Sequence, residues 1–214
     1  MIRSAFHSEL EELKKEIQEL GDRVEDQFSR TVHAMAGDNK AALKDIIEED
    51  EEINELELKL NEQATLVIAR QQPVASDLRR IIVCLKVSSD LERMGDLCVD
   101  MAKAYLHLPS LEAFHAFEKK LTKMEEKIRH MLHEVMEAYG SLDMLKAQQI
   151  ATLDDEIDQT YGSFVKELFQ TSYSADQTAQ LAFTARYMER IGDYCTNIAE
   201  WIIYEVNGQR FDLN

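Results

Sequence analysis

Two twelve-residue stretches, Leu91–Ala102 and Met188–Ala199, are identical at six positions and differ conservatively at most of the others. A chain that repeats an acid-rich segment toward the end of each half reads as a duplicated module. Its fold then has to be one architecture built twice. Both copies carry Glu-x-x-x-Asp, as Glu92 with Asp96 and Glu189 with Asp193, followed four residues later by Asp100 or Asn197. On a helix this spacing stacks three oxygen-bearing side chains in one stripe, about 6 Å per step.

The rest of the chain supports helices throughout. Two prolines and seven glycines in 214 residues leave few places to break them. Phe6, Leu10, Leu13, Ile17, Leu20 and Val24 alternate steps of four and three, which draws one apolar seam. Gly37 ends that helix, and Asp38 is the expected cap of the next, whose seam is Ile46, Ile53, Leu56, Leu60 and Val67. Gln72-Pro73 interrupts, and a third helix starting near Ser76 or Asp77 carries Cys84, Val87, Leu91, Met94, Cys98, Met101 and Tyr105. Pro109-Ser110 marks the midpoint. A fourth helix then runs from Phe114 to about Gly140, and a fifth holds Ile150, Leu153, Ile157, Phe164 and Leu168. The sixth opens at Ser174, with Gln177 completing a capping box, and runs to about Gly208.

The halves align at two offsets. Asp50 matches Asp154, Ile53 matches Ile157 and Leu60 matches Phe164 at 104 residues, whereas the last helices match at 97. The second half has thus lost seven residues from the hairpin joining its second and third helices. Seven is one heptad, about two turns, so the seams keep their phase across the deletion. The fold expected is all-α: two tandem, pseudo-symmetric three-helix bundles of six long antiparallel helices, divided as residues 1–108 and 109–214.

A turn of about 100° per residue sets the acids well off the apolar seams of their own helices, facing outward or into a groove beside a neighbour. Such a stripe can be no more than a solvated acidic face. Two features argue for more. Each stripe is interrupted by a glycine, Gly95 or Gly192, that costs a helix about 1 kcal/mol and needs a reason such as close approach of another backbone. In addition, the preceding helices carry Asp50 with Asn54 and Asp154 with Asp158, which antiparallel packing could bring alongside. Clustered carboxylates repel one another unless a cation sits among them. The candidate metal ligands are therefore Glu92, Asp96, Asp100, Asp50 and Asn54 in one half, and Glu189, Asp193, Asn197, Asp154 and Asp158 in the other. All-oxygen sets suit divalent or trivalent ions, Mg, Mn or Fe ahead of Zn. Histidine completes no familiar site: Glu112-x-x-His115 stands alone, and His130 and His133 read as surface or boundary residues.

Composition narrows the function classes. Lys and Arg number 24 against 41 Asp and Glu, a net charge of -17 that repels phosphate backbones, so direct nucleic-acid binding is not expected. The longest apolar run, Ile81–Leu85, is far too short to span a membrane. The opening residues Met-Ile-Arg-Ser-Ala-Phe-His lack a secretory apolar segment, and three cysteines form no disulfide framework. A reduced, cytoplasmic setting is expected.

At Gln72-Pro73-Val74-Ala75-Ser76-Asp77-Leu78-Arg79-Arg80, at Leu91-Glu92-Arg93-Met94-Gly95-Asp96 and at Met188-Glu189-Arg190-Ile191-Gly192-Asp193, the chain resembles the PhoU family of phosphate-transport accessory regulators. The resemblance covers essentially the whole length, and the hexad occurring twice is its most specific part. It departs at Asp100, where the family usually has Asn. The resemblance implies two three-helix bundles with metal-binding acid motifs on their surfaces. It also implies a cytoplasmic, non-catalytic adaptor and negative regulator linking a phosphate ABC transporter, through its ATPase subunit, to a sensor histidine kinase. Such an adaptor would be peripheral to the membrane only through these partners, and a homodimer is expected. The competing readings are a metalloenzyme whose acid clusters activate water and a metal-storage bundle.

Overall fold

In the computed structural model, which describes residues 2–213, the chain forms six helices: α1 (Ile2–Ala36), α2 (Lys40–Gln71), α3 (Ser76–Leu106), α4 (Glu112–Ser141), α5 (Met144–Leu168) and α6 (Ala175–Asn207). Among the described residues there is no strand. The apolar seams become the core. Ile17, Leu20, Val24 and Phe28 of α1 and Met124, Ile128, Met131 and Val135 of α4 are fully shielded from solvent. The methionines of these seams fill core space, as unbranched, adaptable side chains do.

Each half is a three-helix bundle in which every helix touches the other two. The halves join along α3 and α6, the most extensive pairing in the molecule, and along α1 and α4. Among the described residues α2 touches only α1 and α3, and α5 only α4 and α6, so these two helices lie outermost. One hydrophobic core runs through both halves. The 108/109 division falls in the short connector between α3 and α4. Beside it, Tyr105 stands edge-on to Phe114 at 4.8 Å, one aromatic from each half. Farther along the joint, Trp201 of α6 donates its indole N–H to Asp90 of α3 at 3.2 Å.

The missing heptad is visible as helix length. α2 has 32 residues and α5 has 25, a difference of seven, and both are followed by short turns. Two turns of helix are gone, and the side chains on either side of the deletion keep their faces. The last helix begins as its sequence dictates. Ser174 accepts from Gln177 N–H, Gln177 reaches back to the Ser174 backbone, and Gly208 closes the far end at φ 72°. At the α1–α2 turn the expectation needs correction. Asn39, not Asp38, caps α2 by accepting from Ala42 N–H, while Asp38 takes a left-handed φ of 47°. Its carboxylate accepts the Tyr105 hydroxyl at 3.0 Å, a tertiary contact that no local pattern announces. The three cysteines are buried and unbridged. Among the described residues no helix is long and apolar enough to cross a membrane.

Candidate metal centre

Both acid stripes face the outermost helix of their own bundle, α3 toward α2 and α6 toward α5. The repeated glycines make this possible. A Cβ on Gly95 would lie 3.2 Å from Asp50 Oδ1 and 3.3 Å from Gln27 Oε1; one on Gly192 would lie 3.3 Å from Asp154 Oδ1. Each glycine therefore opens the space that the buried aspartate of the neighbouring helix occupies. The helical cost inferred from sequence is offset by this interhelical fit.

In the first half, Asp50 is buried at 7% exposure. Its Oδ1 accepts the Gln27 side-chain amide at 3.0 Å. Burial pushes its carboxyl up, the Gln27 amide opposes this, and the Asp96 charge adds to the rise. Glu92 is raised by burial first and by Asp96 next, with Glu57 and Asp50 contributing. Arg93 lies along the rim, 3.2 Å from Asp96 and 3.5 Å from Glu92. Asn54 sits beside Asp50, whereas the charge of half-buried Asp100 acts on Tyr187 of α6, across the joint between the halves.

The second half gathers its acids more tightly. Asp158, Glu189 and Asp193 each present an oxygen, all within 4.8 Å of one another. Among the described residues the first half forms no comparable trio of His, Cys, Asp or Glu side chains. The repeat explains the contrast: the position matching Asp158 is Asn54, an amide in place of a carboxylate. Below the trio lies Asp154, 5% exposed, whose Oδ1 is buried without a hydrogen-bond partner. The adjacent Thr196 hydroxyl oxygen has no partner at hydrogen-bond distance, yet it is near enough to the Asp154 carboxyl to oppose its rise. Burial raises Asp154 to about 6, with Asp158 and Asp193 adding repulsion. Glu189 is pushed up to about 7 by burial and then by Asp193, against the pull of Arg186. Asp193 is raised by burial and by Asp158, again with Arg186 opposing.

Glu189 takes the second of the two placements expected for it: it lies in the groove beside α5 and is buried at 7% exposure. α6 is packed by α3, α4 and α5, so it has more buried faces than its one apolar seam describes. Asn197 is half-buried one turn beyond Asp193. The histidines stay on the surface: His130 and His133 are exposed, and His115 pairs with Glu118 at 3.3 Å. Sequence reasoning missed Gln27 and Arg186. Gln27 had a signal, as a polar residue between Val24 and Phe28 on an apolar seam. Arg186 also had one, three residues before Glu189 on the same helical face.

Chemically, the second cluster fits a hard cation. Ions of this class take carboxylate oxygens at about 2.0–2.6 Å, so donors around one ion lie within a few ångströms of each other, as these do. The buried, unpartnered Asp154 oxygen is a group that costs stability until something binds it.

Comparison with known proteins gives one consistent result. The PhoU domain family matches residues 17–105 and 121–202. The chain is 34% identical over 219 residues to the phosphate-specific transport system accessory protein PhoU homolog of Clostridium acetobutylicum, covering 100% of both chains. It is 34% identical over 218 residues to the accessory protein PhoU of Escherichia coli K12, covering 98% of this chain and 88% of that one. The crystal structure of the phosphate transport system regulatory protein PhoU from Streptococcus pneumoniae superposes with a TM-score of 0.90 at 31% identity, over 97% of this chain and 99% of that one.

Proposed function

This chain belongs to the PhoU family, and from that premise we propose that it is the accessory protein of a phosphate-specific transport system, acting as a cytoplasmic adaptor and negative regulator. The observation that carries this reading is the full-length likeness to proteins named for that role. In this role it links the ATPase subunit of a phosphate ABC transporter to a sensor histidine kinase and restrains phosphate-starvation signalling when phosphate is plentiful. It does so by contact rather than by catalysis, and as a homodimer. The charge of -17 favours partner surfaces that are basic or apolar over nucleic acid. The halves 1–108 and 109–214 are the two copies of one duplicated unit.

The acid clusters serve this role as cation sites. Asp158, Glu189 and Asp193, with Asp154 beneath, would hold a divalent or trivalent ion between α5 and α6. Asp50, Glu92 and Asp96, with Asn54 alongside, would hold one between α2 and α3. A bound ion supplies positive charge that relieves the crowded carboxylates and ties the outer helix of each bundle to the inner one. The unpartnered Asp154 oxygen and the converging trio support this.

A phosphate-starvation promoter reporter in a deletion strain, with and without the sensor kinase, tests the adaptor role. Derepression in high phosphate that requires the kinase supports it. Silence, or derepression independent of the kinase, sinks it. Phosphatase and ferroxidase assays address the enzyme and storage alternatives. Elemental analysis of the wild-type chain and of an Asp96→Ala, Asp193→Ala double variant tests the cation sites, and equal metal content in both would refute them.

A further inference from the structure

Arg186 leaves α6 one turn before Glu189 and turns into the second cluster. Its guanidinium donates to Glu189 Oε2 and stands 3.9 Å from Asp193 Oδ2. On its other side it lies over the Tyr161 ring of α5, 6.0 Å from the centroid. One cation thus spans both helices that build the cluster and engages two of its three converging carboxylates. Arginine keeps its charge at any pH a cell reaches, so while it sits there it offsets part of the negative charge of these acids.

The first cluster lacks this arrangement. At the repeat offsets, Arg186 corresponds to Ser89 and Tyr161 to Glu57. Where the second half places a cation on an aromatic ring, the first places a hydroxyl and another carboxylate, and the charge of Glu57 acts on Glu92. The first half does have an arginine near its acids, but Arg93 follows Glu92 directly and lies along the rim, 58% exposed. Its repeat counterpart Arg190 is exposed as well. Arg186, at 45% exposure, is held instead by α5 on one side and Glu189 on the other.

A metal ion in the second cluster needs the same carboxylate lone pairs that Arg186 holds. It meets no competing cation at Asp158 or at the Asp154 oxygen, but competes with Arg186 for Glu189 Oε2 and for the charge of Asp193. We propose that Arg186 is a tethered counter-cation that an incoming metal ion must displace, so that the second cluster takes metal less tightly than its carboxylates alone would. This rests on the cation-site reading above. Displacement would also release the guanidinium from the ring of Tyr161 on α5.

The test is calorimetric titration of the full chain with Mn2+. Wild type is compared with Asp96→Ala, which leaves only the second cluster intact, and with Asp96→Ala carrying Arg186→Ser, which copies the first half. Removing charge-assisted hydrogen bonds that compete with the ion is expected to tighten Mn2+ binding at the second cluster about tenfold. Arg186→Lys in the same background keeps a cation and should stay near the parent affinity. Circular dichroism of each variant confirms retained helix. Unchanged or weaker binding in the Arg186→Ser chain overturns the proposal. So does Mn2+ uptake by wild type with none in either Asp96→Ala chain, because the second cluster is then no site. No uptake by wild type refutes the cation reading itself, and the inference falls with it.

Discussion

The two halves place a buried aspartate at the same point of the outer helix, Asp50 and Asp154, and then surround it differently. Asp50 receives a hydrogen bond from Gln27 of α1. The position of Gln27 in the repeat, 104 residues on, is Met131, a core side chain with no amide to offer, and Asp154 keeps an unpartnered oxygen. Duplication preserved the carboxylate and not its neutral partner. The first aspartate is held by a donor from α1, although the Gln27 Oε1 beside it is buried without a partner, whereas the second has the Arg186 cation at the rim of its cluster. A buried polar atom without a partner is costly, so its persistence beside a tight acid trio sets the second half apart as the more demanding site.

The comparison is most severely tested at the glycines. Gly95→Val and Gly192→Val each force atoms into the space of the buried aspartate, at an expected cost of about 2 kcal/mol, larger at Gly95 where Gln27 also closes in. Urea denaturation reads this; unmoved midpoints would mean that the interhelical approach does not depend on glycine.

Next comes the partner of Asp50. Gln27→Met makes the first half resemble the second, and should cost about 1.5 kcal/mol by stripping a donor from a buried carboxylate. Thermal unfolding at pH 8 without metal measures it. A neutral result would show that the two aspartates are equivalent after all.

The pH response sharpens the contrast. Folded Asp154 lies at about 6 against an ordinary 3.8, and folded Glu189 at about 7 against 4.5. Between roughly pH 4 and 7 the folded chain therefore binds more protons than the unfolded one. The stability that protonation of these groups provides is fully present below the unfolded values and lost as pH rises through 6 to 7. The loss is read as a falling slope of stability against pH in metal-free protein. Glu189→Gln should flatten the slope more than Glu92→Gln does. If both substitutions flatten it equally, the halves carry the same electrostatic load.

The smallest effect is expected at Arg93→Ala. Its pairs with Glu92 and Asp96 lie on an exposed rim, so melting should shift by less than about 0.5 kcal/mol. A larger loss would place Arg93 in the same role as Arg186.

The helices, the Ser174–Gln177 box, the Gly208 stop and the lost heptad were legible because each is written within a few residues or in a period of one helix turn. So were the acids themselves. Glu189 was harder to place. Its angle from the α6 seam left both an outward face and a groove beside a neighbour open, because a helix packed on three sides has several buried faces and a single seam describes one of them. Asp38 was misplaced for a similar reason: Asp and Asn both cap helices, and the choice fell to a Tyr105 hydroxyl 67 residues away.

By itself the sequence determined six helices, their repeated order and the carboxylates each half would carry, because periodicity and capping act over one or two turns. Only the tertiary structure decided which aspartate found a donor and which was left bare. It also decided that Arg186, rather than Arg190, would face the second cluster. The first outcome depends on what a third helix brings within about 3 Å of a buried oxygen, because a hydrogen bond loses most of its strength beyond that reach. The second depends on the Tyr161 ring of α5, over which the guanidinium lies.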